Sequence, residues 1–100
     1  MIKHLVMWTL KPEAEGATAA ENAVKMKTML EALVGVIPGL RHLEVSADIV
    51  EASPACQVVL YSELDDEAAL AAYQPHPAHQ ACVAFIRTVV ASRSVLDYEI

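Results

Sequence analysis

Hydrophobic and polar positions divide the chain into stretches whose period switches between two residues and about 3.6, the signatures of strand and helix. From Ile2 to Leu10 the period is two: Ile2, His4, Val6, Trp8 and Leu10 share one face, and Lys3, Leu5, Met7 and Thr9 share the other. Both faces are largely apolar. Such a strand belongs inside a layered structure, with helices on one side and a second cover, such as a partner subunit, on the other. Lys11-Pro12 ends it. Thr18-Ala19-Ala20-Glu21 then has the spacing of a capping box, in which the threonine hydroxyl and the glutamate carboxylate each satisfy an orphan amide. A helix is predicted from there to about Val34, with Ala23, Met26, Met29, Leu30, Leu33 and then Ile37 on its buried face. Gly35 stops it and Pro38-Gly39 turns the chain.

Leu40 to Asp48 alternates again, Arg41, Leu43, Val45 and Ala47 against Leu40, His42, Glu44 and Ser46, which predicts a strand with a drier and a wetter face. The segment from Ile49 to Ala55 reads as a loop, and Gln57 to Leu64 as a third strand rich in β-branched and aromatic residues. Asp65 and Asp66 suit the start of a helix over Glu67 to Tyr73. That helix is short because Pro75 and Pro77 push the residues before them out of helical geometry. A second helix segment starts with Pro77 at its first position, where a missing amide costs nothing. Along it His79, Val83, Ile86 and Val90 form a stripe headed by the histidine and turned toward the sheet. A last strand is predicted over Val95 to Ile100.

The order β, α, β, β, broken α, β is the split βαβ pattern: an α+β, ferredoxin-like βαββαβ fold with a four-stranded antiparallel sheet and helices on one face. One hundred residues make a single domain, residues 1 to 100. Hydrophobic residues are 55% of the chain and charged ones 20%, at a mean hydropathy of +0.35. That is more apolar material than one small globule needs to bury, so a self-complementary face and a homodimer are expected. The net charge of −6, with seven scattered Lys and Arg, argues against nucleic acid. No apolar run has bilayer-spanning length and no signal-peptide pattern opens the chain, so no membrane partner and a cytoplasmic location are expected. Cys56 and Cys82 lack metal-type or CxxC spacing and read as free thiols.

Candidate chemistry concentrates in Tyr73-Gln74-Pro75-His76-Pro77-Ala78-His79-Gln80, where a phenol and two imidazoles sit beside prolines that fix the backbone. A neutral His79 can accept a proton, and Tyr73 can donate a hydrogen bond to a carbonyl or enolate oxygen. Those roles suit proton abstraction next to a carbonyl. Two other readings use the same residues: purely structural hydrogen bonding and packing, and a non-catalytic module for a small apolar or aromatic ligand. His76, His79 and Cys82 also fall three apart, but a fourth ligand is lacking, so neither a metal nor a cofactor is expected. Glu63, Asp65, Asp66 and Glu67 read as a solvated helix start, and His42 as a surface residue.

The opening Met1-Ile2-Lys3-His4-Leu5-Val6, the turn Ile37-Pro38-Gly39, the block from Tyr73 to Gln80 and the ending Asp97-Tyr98-Glu99-Ile100 together resemble the stress-responsive A/B barrel family, the dimeric α+β barrel or Dabb proteins. The resemblance spans essentially the whole chain and implies a homodimer of ferredoxin-like subunits. A few plant members of that family are polyketide cyclases that drive an intramolecular aldol reaction with histidines and a tyrosine and without metal or cofactor. Their motif corresponds here to His4, Tyr73 and His79, which implies His4 as orienter or second proton carrier beside the other two, while its further histidine, on the third strand, is Val58 in this sequence.

Overall fold

A computed structural model describes residues 1–100. The elements are β1 (Ile2–Leu10), β2 (Glu13–Ala14), β3 (Ala17–Thr18), α1 (Ala19–Glu31), β4 (Leu40–Ser46), β5 (Val58–Leu64), α2 (Glu67–Tyr73), α3 (Pro77–Val89) and β6 (Val90–Glu99). Four strands form one antiparallel sheet in the order β4-β5-β1-β6, and all three helices cover one face of it. This is the expected ferredoxin-like topology. The period-two pattern of β1 is realised: Ile2, His4, Val6, Trp8 and Leu10 are buried beneath the helices, and Lys3, Leu5, Met7 and Thr9 line the open face.

The capping box forms as predicted, with Thr18 accepting from the Glu21 amide and Glu21 accepting from the Thr18 amide. Helix α1 then lays Ala23, Met26 and Leu30 on the sheet, and Leu33 and Ile37 continue that packing past its end. The helix stops at Glu31, three residues before the expected boundary, and runs into turns that lead to Gly35 at φ +85°. Between β1 and α1 lies a small hairpin the hydrophobic pattern does not reveal, β2 paired with β3. Its turn, Glu15-Gly16, takes positive φ at both residues, a geometry usually announced by Asn-Gly or Asp-Gly. Asn22 ties it down: the side chain is buried and donates to the Ala14 carbonyl at 3.0 Å.

Two further expectations need correction. In β4 the structure buries Leu40 together with Leu43 and Val45 and exposes Arg41, which alternation had put on the dry face. A bulge between Leu40 and His42 supplies one extra residue and flips Arg41 outward, where it pairs with Asp65 at 2.9 Å. The final strand begins at Val90 and not Val95, directly after α3, and its first half pairs with Leu10, Thr9, Trp8 and Met7. Beyond Val90 the strand is exposed, because no helix covers this edge and the sheet's other face is open. On that open face the register brings Leu5 beside Tyr61 and Leu96, and Lys3 beside Tyr98. Leu96 is 57% exposed and Tyr98 43%. The chain's two ends meet, with the Ile100 amide donating to the Met1 carbonyl at 3.0 Å. No helix is long and apolar enough to cross a membrane.

Candidate functional site

The break between α2 and α3 is built by side chains as well as prolines. Asp66 caps α2 by accepting from the Ala69 amide at 2.8 Å, and His76 caps α3 by accepting at Nδ1 from the Ala78 amide at 3.1 Å. Tyr73 is thereby fixed on the last turn of α2 and His79 on the first turn of α3. Their rings lie 4.2 Å apart between centroids. The ring of His4, arriving from the middle of β1, stands edge-on to Tyr73 at 6.0 Å. All three line one cavity of about 530 Å³ between α3 and the β1/β6 half of the sheet, along with Val6, Trp8, Leu60, Ile86 and Arg93. The three residues read from the sequence therefore share one environment.

Geometry assigns each a protonation role. The Nδ1 of His79 lies 3.0 Å from the Gln74 carbonyl, which can only accept, so Nδ1 carries the hydrogen and Nε2 keeps a free lone pair. Burial holds the His79 imidazole below its ordinary proton affinity; the Gln74 bond opposes it as the next largest effect, and the charges that His4, Arg93 and His76 can carry each add a smaller push in the same direction as burial. The ring is consequently neutral and basic near pH 7. Burial is the largest of these causes. Tyr73 is only 1% exposed, and burial, with a smaller contribution from Cys82, raises its hydroxyl well above the usual phenol range, so it stays a donor. His4, 4% exposed, gives its Nδ1 hydrogen to the Asp97 carboxylate, which leaves Nε2 unencumbered.

Asp97 is a site residue that no local pattern in the sequence announces. It lies 93 positions from His4, and only the β1/β6 register, which pairs the two, brings it there. Val58, where the cyclase motif has a further histidine, is fully buried and apolar and lies outside the cavity lining. His76 is occupied as a helix cap, and the Sγ of buried Cys82 lies 3.6 Å from the carbonyls of Met29 and Ala78. No group of three or more His, Cys, Asp or Glu converges as metal ligands. The acidic run is structural: Asp66 caps α2, Asp65 pairs with Arg41, and Glu63 pairs with Lys3 and accepts from Tyr61. His42 is exposed, with Nε2 2.7 Å from Glu44.

The model of the stress responsive A/B barrel domain matches residues 2–100. A Streptomyces coelicolor protein, described as the uncharacterized protein SCO4036, is 37% identical over 100 residues, covering 99% of each chain. Among solved structures, a dimeric protein of unknown function with a ferredoxin-like fold from Bacteroides fragilis superposes with a TM-score of 0.80 at 29% identity, over 99% of this chain and 95% of that one. A dimeric ferredoxin-like protein of unknown function from Thermobifida fusca superposes at 0.82 with 26% identity, over 99% and 90%.

Proposed function

Because the chain belongs to the stress responsive A/B barrel domain family, we propose that it works as a homodimer whose helix-sheet pocket moves a proton on a small carbonyl or aromatic molecule. The observation that carries this reading is the convergence of His79, Tyr73 and His4 on one cavity. In the proposed step, Nε2 of His79 takes a proton from the carbon next to a carbonyl. The electron pair of that C–H bond moves into the carbonyl group, and the Tyr73 hydroxyl stabilises the resulting enolate oxygen by donating to it. The protonated His79 then returns a proton to the carbon, and His4, oriented by Asp97, keeps an unprotonated Nε2 that can accept and relay a proton. Depressed proton affinity keeps His79 available as a base, and elevated proton affinity keeps Tyr73 a donor.

Pairing follows from the open sheet face. Leu5, Met7, Val59, Leu96 and Tyr98 give it an apolar centre, and the Lys3, Tyr61 and Glu63 network gives it a polar flank. Dimeric relatives with the same fold support closing two such faces against each other.

The test is hydrogen–deuterium exchange at the activated carbon of an aryl 1,3-diketone, followed by proton NMR in D₂O. Wild-type protein should accelerate exchange, His79→Ala should slow it by about 10²-fold or more, and Tyr73→Phe should slow it while leaving binding intact. Exchange no faster than buffer, or variants as active as wild type, would refute catalysis. The same cavity would then stand as a binding site without turnover, the reading its apolar lining favours in that event.

A further inference from the structure

Resting on the reading of this cavity as a small-molecule site, its charge and its one unsatisfied donor narrow the kind of molecule. The chain carries thirteen Asp and Glu against seven Lys and Arg. Of its three arginines, Arg41 is paired with Asp65, whereas Arg87 and Arg93 form no ion pair and both line the cavity. An acidic molecule has thus left two guanidinium groups uncompensated at one place. A second observation is independent of charge. The indole Nε1–H of Trp8 is the one buried side-chain nitrogen or oxygen in the protein without a hydrogen-bond partner, and Trp8 lines the same cavity. Buried donors are nearly always satisfied, so one left unpaired in a residue that lines the cavity can take an acceptor from a bound molecule. The β1/β6 register sets Trp8 directly opposite Arg93, on the same face of the sheet.

We propose that the pocket takes a small organic acid: an apolar body of about the size of one aromatic ring, a carboxylate held by Arg93 and Arg87, and an oxygen that accepts from the Trp8 indole. A planar guanidinium matches a carboxylate fork to fork. A phosphate dianion is the poorer fit, because phosphate sites draw on nests of backbone amides in glycine-rich turns, and Gly16, Gly35 and Gly39 all lie away from the lining. The apolar body would lie against Val6, Leu60 and Ile86. Such a ligand also serves the proposed proton transfer, since Arg93 is among the groups that lower the proton affinity of His79. A bound carboxylate offsets that charge and makes His79 a stronger base when the pocket is filled.

The experiment compares three probes by calorimetry at low salt: 4-acetylbenzoate, its neutral analogue 4-acetylbenzamide, and 4-ethylbenzoate, which lacks the second acceptor. Wild-type protein should bind 4-acetylbenzoate about tenfold or more tightly than the amide. An Arg87→Gln/Arg93→Gln double variant, changed only at exposed positions, should lose that preference and keep its affinity for the amide. Trp8→Phe should weaken 4-acetylbenzoate several-fold and leave 4-ethylbenzoate unchanged. Trp8 is the only tryptophan, so a change in its emission on adding the acid reports contact directly. Equal affinity for acid and amide, a preference that survives the double variant, or no binding of any probe overturns the inference. Diketone exchange decides the proposed proton transfer separately: protein that catalyses exchange on neutral diketones but shows no acid preference refutes the acid alone.

Discussion

Removing the carboxylate of Asp97 tests how the site is held together. Asp97 accepts from Nδ1 of His4, whose side chain is 5% exposed while that of Asp97 is 33% exposed. In Asp97→Ala the imidazole stays under the helices but its N–H has no acceptor. Hydrogen bonds to charged groups contribute about 1.5 to 3 kcal/mol, and the partial exposure of Asp97 brings the expected loss down to about 1 to 2 kcal/mol. For a 100-residue domain each kcal/mol shifts Tm by about 4 to 8 °C, so the variant should melt about 4 to 16 °C lower. Asp97→Asn retains a carbonyl oxygen that can accept from the same N–H and should recover much of that loss. The assay is thermal unfolding by circular dichroism with every variant at the same protein concentration, because subunit association makes Tm depend on it. Nitrogen NMR of the His4 ring supplies the second readout: Nδ1 should carry the hydrogen in wild type, and its signal should broaden or shift toward mixed tautomers in Asp97→Ala. An Asp97→Ala protein with unchanged Tm and an unchanged His4 spectrum would refute the role given to this pair.

Other consequences are equally direct. Gly39 has φ +83°, and a Cβ there would lie 2.7 Å from the Cβ of Ala69 on α2, so Gly39→Ala combines backbone strain with a clash and should cost about 2 to 4 kcal/mol in urea unfolding. Ala69→Gly in the same chain should return part of that cost, because it removes the clash but not the strain. Met26 is fully buried between α1 and the sheet, and Met26→Ala should destabilise by about 2 to 5 kcal/mol through the cavity it leaves. His79 titrates below its ordinary 6.5 in the folded chain, so kcat/KM for diketone exchange should rise with pH through an inflection below 6.5. Tyr73, kept protonated by burial, should add no inflection of its own on the alkaline side. The same depression makes the neutral His79 contribution to stability complete above pH 6.5, to be lost as pH falls through the folded value.

The elements with strong periodicity or strong punctuation were legible from the residues alone. β1, the capping box of α1 and the Pro-broken helix pair all lie where the pattern puts them, because each is fixed by local chemistry. What the pattern could not reveal depended on pairing between distant segments. The exposure of Arg41 follows from a bulge against β5, and the early start of β6 follows from its pairing with β1, since Ala91-Ser92-Arg93-Ser94 has no alternation of its own. The site divides the same way. Tyr73 and His79 were visible as neighbours around one proline break, and His4 was drawn in by the family resemblance and its place on the buried face of β1. Asp97, Trp8 and Arg93 became part of the site only once the register set β6 beside β1.

The most direct measurement of the central claim is an imidazole nitrogen NMR titration with a neutral aromatic ketone such as 4-hydroxyacetophenone. The four histidines carry their own controls: His4 and His79 line the cavity, His76 is bound up in its helix cap, and His42 sits exposed beside Glu44. The account predicts that His4 and His79 shift together along a single binding curve while His42 stays still. Ketone-induced shifts confined to His42, or separate curves for His4 and His79, would contradict a shared site.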